Sequence, residues 1–203
     1  MTGTGISEFI KKNKLTAVMT ALFFVGMAYG ALVVGFGDDK MLHSLSFMTK
    51  GYMNSRAEQS MAITFFNSLW STGCFILALF LLGFSSVSIP AIVILPFFKG
   101  LGLGTSLGYL YITYALKGIA FSAAVILPAA IFSTFAMILA SREAFKLSLL
   151  FLAAFVPRLQ GGLSPRVIKL YCAKFLVLSG IILVSAVIDS TVTFLFSGFL
   201  VLS

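Results

Sequence analysis

Residues 89–114 read IPAIVILPFFKGLGLGTSLGYLYITY, and this stretch decides the fold class. It is apolar over more than the roughly 20 residues that a membrane-crossing helix needs, and it carries one charge, Lys99. Pro96 removes a backbone donor and disfavours helix at Leu95, while Gly100, Gly102 and Gly104 weaken the next turn. The stretch therefore predicts a span broken near Lys99, either crossing the bilayer or re-entering it as a hairpin.

Four further runs flank it. The sequence predicts spans at about 15–36, 61–83, 119–140 and 170–190, together with 89–114. The whole chain, 1–203, then reads as a single integral membrane domain, all-α, a polytopic transmembrane helix bundle of about five crossings. Composition agrees, since 60% of residues are hydrophobic, 10% are charged and the mean hydropathy is +1.09. A soluble domain carries about 25% charged residues, so a soluble globular protein is excluded. The first run is too long for a secretory signal core of about 7 to 15 residues and reads as an uncleaved anchor.

The net charge of +8 would raise nucleic acid as a partner in a soluble protein. Its placement points instead to orientation and to the lipid bilayer. Lys11, Lys12 and Lys14 precede the first span, and Arg142, Lys146, Arg158, Arg166, Lys169 and Lys174 lie in or beside the connection 141–169. Lys40, Lys50, Arg56 and Lys117 fall on the other side. The positive-inside rule then predicts a cytoplasmic N-terminus, one sizeable outer loop from Gly37 to Ser60, and an outer C-terminus. Within 141–169 the run Leu147 to Val156 is too short to cross and reads as an interfacial helix.

Lys99 is the charge that costs most, about 2.5 to 3.5 kcal/mol at membrane depth. It either contacts an anion or partner, or caps and snorkels where the helix breaks. Gly26 and Gly30, like Gly104 and Gly108, stand four residues apart and let helix backbones approach closely, within the chain or against another subunit, so self-association is open. The motif Ile94-Leu95-Pro96 echoes Ile126-Leu127-Pro128, a slender sign of the internal repeats that transporters use. Asp189 reads as a helix end at the outer interface, and Arg142, Glu143 and Lys146 as a solvated helix start with a Glu143–Lys146 pair. Cys74 and Cys172 read as buried thiols.

Catalytic and ligand-binding groups are scarce. The single histidine, His43, falls in the outer loop, and there is no His-Glu-x-x-His and no pair of buried carboxylates. The sequence predicts no enzyme, no metal site and no cofactor.

Ile89-Pro90 opening the third segment, Phe98-Lys99-Gly100, and Gly104 with Gly108 together resemble the stage II sporulation protein M family. The layout extends the likeness: a basic N-tail, a first span with Gly26 and Gly30, an outer loop, and a fourth span bearing Pro128. The resemblance implies an integral membrane protein of engulfment in endospore-forming bacteria, in the mother-cell or septal membrane. It also implies two partners, a peptidoglycan lytic transglycosylase and an amidase, which the protein would recruit and localise as a scaffold. The alternative from the residues alone is a small transporter or channel subunit built on the helix around Lys99.

Overall fold

The computed structural model describes residues 14–37, 60–155 and 165–195. The Lys11–Lys12 pair, most of the predicted outer loop with His43, Arg158 and the last eight residues lie outside the described residues. Among the described residues there are helices and no strands. The helices are α1 (Lys14–Gly35), α2 (Met61–Leu82), α3 (Ile89–Phe121), α4 (Leu127–Phe155) and α5 (Pro165–Leu195), with a π-helical turn, Ser122–Ile126, ahead of α4. Among the described residues five segments are long and apolar enough to cross a membrane: Lys14–Gly35, Met61–Leu82, Ile89–Ala115, Gly118–Ala153 and Pro165–Leu195.

Much of the surface of the described helices is apolar. Trp70, Leu176, Phe66 and Phe194 are exposed on α2 and α5, whereas small and polar side chains such as Ala136, Ala140, Ala144, Ser141 and Ser148 are buried. Hydrocarbon outside the bundle makes this distribution favourable, because packing small residues lets helices approach and outer Leu and Phe meet lipid at no cost. One buried cluster unites Ile76 and Leu79 of α2, Ile92 of α3, Met137 and Leu147 of α4, and Tyr171, Phe175 and Leu178 of α5.

The break predicted near Lys99 is absent. Helix α3 continues through Pro96 and Lys99, and its non-helical residue is Ala115, at φ 46° and ψ −125°. Pro96 costs α3 one hydrogen bond, but it is fully buried and its neighbours hold the helix in place. The glycines that weaken α3 in isolation are the ones that let it pack. Pro90 stands in the first turn, where its missing N–H has no intrahelical partner to lose.

Ala115 turns the chain back. The conformation suits glycine, and a Cβ there stores roughly 1 to 3 kcal/mol. Gly118 follows so closely that a Cβ on it would overlap the Leu110 carbonyl. Ala115→Gly is therefore expected to stabilise the protein by about 1 kcal/mol after the added chain entropy is subtracted, as read by denaturant titration in micelles.

The boundaries of the last two helices also differ from the predicted ones. Helix α4 does not stop at Ala140 but runs to Phe155, and α5 starts at Pro165. No helix breaker occurs until Pro157, and Ala144, Leu147 and Ser148 are buried in the bundle. Leu147 to Phe155 is thus the end of a long packed helix rather than a separate interfacial one. Pro96 and Pro128 occupy different settings, one inside α3 and the other just after the π turn, whose wider winding accommodates a residue without an N–H.

Candidate functional site

Three places in the bundle concentrate polar or close-packed residues. The first is the seam between α1 and α3, which is the most extensive helix pair. Gly26 and Gly30 of α1 face Phe97, Leu101 and Thr105, and Gly100, Gly104 and Gly108 of α3 face Phe23, Met27, Ala31 and Val34. A Cβ on Gly26, Gly30, Gly100 or Gly104 would overlap a carbonyl oxygen of the opposite backbone, and one on Gly108 would lie 3.2 Å from the Ala31 Cα. Contact partners rise together along both helices, so α1 and α3 run parallel. A hairpin within 89–115 is therefore excluded, and two glycine ladders interlock within one chain. Gly102 points elsewhere, with nothing within 4 Å of its added Cβ.

The second place surrounds Lys99. Its ammonium lies 5.4 Å from the centroid of the Phe75 ring on α2, a cation–π contact. The Asp189 carboxylate on α5 is within electrostatic reach. Phe98 faces outward, 57% exposed, while Phe97 packs its ring 6.4 Å from that of Tyr29. Asp189 does not end its helix, because α5 continues to Leu195. It is 5% exposed beside Ser190 and Thr193, both at 2%. Ser185, one turn away, donates to the Ala129 carbonyl at 2.8 Å. The far end of α5 is thus a buried polar stripe inside the bundle.

The third place is the opposite end, where α2 ends and α5 begins. The N–H of Phe84 turns to the Leu81 carbonyl, and the Tyr171 hydroxyl donates to the Phe80 carbonyl at 3.0 Å. The Tyr171 ring stacks on Phe80 at 5.4 Å and meets Phe175 at 4.6 Å and Phe84 at 5.4 Å. Ser88, ahead of α3, donates to the Ser85 carbonyl at 2.7 Å and also to that of Leu82. From α4, Ser148 reaches the same Ser85 carbonyl at 2.6 Å. Ser148→Ala should therefore loosen the turn joining α2 to α3 and cost about 1 kcal/mol in micelle unfolding.

Beside this knot, Glu143 is not a solvated helix start. Its side chain is 15% exposed, and it pairs with Lys174 of α5 as well as with Lys146 at 3.5 Å. The Lys174 partner comes from the antiparallel register of α4 and α5, which local spacing does not reveal. Tyr171 was equally invisible, as a lone tyrosine at a basic helix start. Cys74 and Cys172 are exposed on the bundle surface, which corrects their reading as buried thiols. Among the described residues no three His, Cys, Asp or Glu side chains are grouped to hold a metal ion.

Long apolar helices with lipid-compatible outer faces and polar residues turned inward define a multi-pass helical membrane protein. No curated protein and no solved structure matches the chain. The chain belongs to the Stage II sporulation protein M family, whose profile matches residues 19–194. The match spans all five helices, and it suggests a sporulation-related membrane protein.

Proposed function

We propose that the protein is a membrane scaffold that recruits and localises two peptidoglycan hydrolases, a lytic transglycosylase and an amidase, during endospore engulfment. The observation that carries this reading is the family match over residues 19–194. The architecture is compatible with it. The glycine seam welds α1 to α3 within one chain, and the outer faces of α2 and α5 present aromatic and aliphatic side chains to lipid or to partner helices. In this reading the N-terminus is cytoplasmic, supported by the basic residues at the Lys14, Arg142–Lys146 and Arg166–Lys174 end. The protein then sits in the mother-cell or septal membrane, with residues 37–60 on the side of the cell wall.

The test is the position of the hydrolases in sporulating cells. With fluorescent fusions, deletion of the protein should disperse both enzymes from the septal membrane, and re-expression should restore them. Hydrolases that stay at the septum without the protein would refute recruitment.

A second reading, a small transporter or channel subunit, has one observation in its favour: Lys99 at membrane depth with Asp189 in electrostatic reach. The variant Lys99→Ala separates the two. Scaffolding predicts normal protein levels and normal hydrolase position in this variant; transport predicts a loss of solute or proton flux in vesicles with assembly intact.

A further inference from the structure

The seam between α4 and α5 carries two depressions at the charged end of the bundle. One, of about 390 Å³, is bordered by Glu143, Lys146, Arg166 and Lys174. The other, of about 450 Å³, runs along the same two helices between Leu139, Ala173, Val177 and Ile181. They share Glu143, Leu170 and Lys174, so a charged cleft opens directly into an apolar groove. We propose that this seam is a binding site for an anionic phospholipid, its phosphate among Lys146, Arg166 and Lys174 and one acyl chain along Leu170, Val177 and Ile181.

Charge complementarity selects the occupant. Three cations face one carboxylate in the cleft, a local excess of two positive charges, and Arg142 and Lys169 lie on the adjoining turns of α4 and α5. Glu143 binds Lys146 and Lys174 and so holds two ammonium groups side by side. An ammonium has three donors, and each of these gives one to Glu143, leaving two for a phosphate oxygen. Arg166 adds a planar guanidinium that suits phosphate. Lys146 and Lys174 have side chains 47% and 43% exposed, so a headgroup can reach both. The groove below the charges is lined almost wholly by aliphatic side chains, and Leu170 and Val177 are 52% and 63% exposed. A soluble anion would use the cleft and leave the groove to ordinary lipid. A phospholipid uses both, with its polar-to-apolar order matched to that of the seam. Basic pockets between helices near one membrane face are the usual recognition site for acidic headgroups.

The experiment uses the full-length protein in detergent mixed with phosphatidylglycerol or phosphatidylcholine of identical acyl chains, with retained lipid counted by native mass spectrometry. Phosphatidylglycerol should be retained in about tenfold excess, and Lys146→Gln with Arg166→Gln should remove that excess. Both changed side chains are exposed, so the fold should survive, as checked by size exclusion. Ala173→Trp, which fills the groove and leaves every charge, should also lower phosphatidylglycerol retention. Excess glycerol phosphate should compete weakly. Equal retention of the two lipids, or an undiminished excess in the double variant, would overturn the proposal. Full displacement by glycerol phosphate together with unchanged retention in Ala173→Trp would do so as well, in favour of a soluble phosphate.

Discussion

Gly104→Leu is expected to unfold the α1–α3 pair and to sharply reduce the yield of monodisperse protein in detergent. At this position even a Cβ meets the Met27 backbone, whose carbonyl carbon would stand 2.8 Å away. Backbone cannot rotate aside as a flexible side chain can, so the helices must separate. Separation then opens the contacts at Gly26, Gly30, Gly100 and Gly108 along the same seam. Overpacking at one site costs about 1 to 3 kcal/mol, and a ladder of five glycines puts this site at the upper end. Gly102→Leu is the matched control, because nothing lies within 4 Å of a Cβ at Gly102. It adds the same side chain to the same helix and should leave unfolding in a denaturing detergent titration nearly unchanged. Equal damage from both variants would mean that helix propensity, not interhelical contact, explains the glycines.

Tyr171→Ala is the second large effect, with an expected loss of about 3 to 5 kcal/mol. Tyr171 is 4% exposed and its ring touches Phe80, Phe84 and Phe175, so truncation leaves a cavity bounded by aromatic faces at the junction of α2 and α5. It also takes the hydroxyl from the Phe80 carbonyl at the end of α2. Tyr171→Phe separates the two contributions, because it keeps the ring and removes only the donor, for about 1 kcal/mol. Gly83 lies against this ring, and a Cβ on it would overlap the hydroxyl. Gly83→Ala should therefore reproduce part of the Tyr171→Ala loss. Loss of stability in the alanine variant no greater than in the phenylalanine variant would show that the cluster is not packed as described.

Hydropathy and spacing reveal the all-α class and the five crossings because lipid imposes length and apolarity on each span separately, and neither property depends on the other spans. The placement of the chain break depends on the other spans. Pro96 and the glycines around Lys99 lower helix propensity, yet α3 stays helical there because α1 packs on those same glycines. Ala115, a good helix former, carries the interruption instead. Propensity is a local quantity, and the seam that overrides it is made between residues about 75 positions apart. The glycine spacing signalled close packing without naming its partner, since four-residue spacing serves an internal helix and a second subunit alike. The end of α4 differs from the expected Ala140 for a related reason. Leu147 to Phe155 is too short to cross alone, but it prolongs a helix whose inward residues find partners elsewhere: Ala144 and Leu147 on α2 and α5, and Ser148 on the turn joining α2 to α3. The pairing of Glu143 with Lys174 and the burial of Asp189 likewise arise from helix register, which no single segment encodes.

The scaffold proposal stands or falls on physical association with the two hydrolases. The most direct measurement is an affinity pull-down of the full-length protein from detergent-solubilised membranes of sporulating cells, read by quantitative mass spectrometry against untagged cells. Enrichment of both a lytic transglycosylase and an amidase is the expected result. Recovery of the protein alone, or with a nucleotide-hydrolysing subunit and neither hydrolase, would contradict the scaffold and turn attention to flux through the bundle around Lys99.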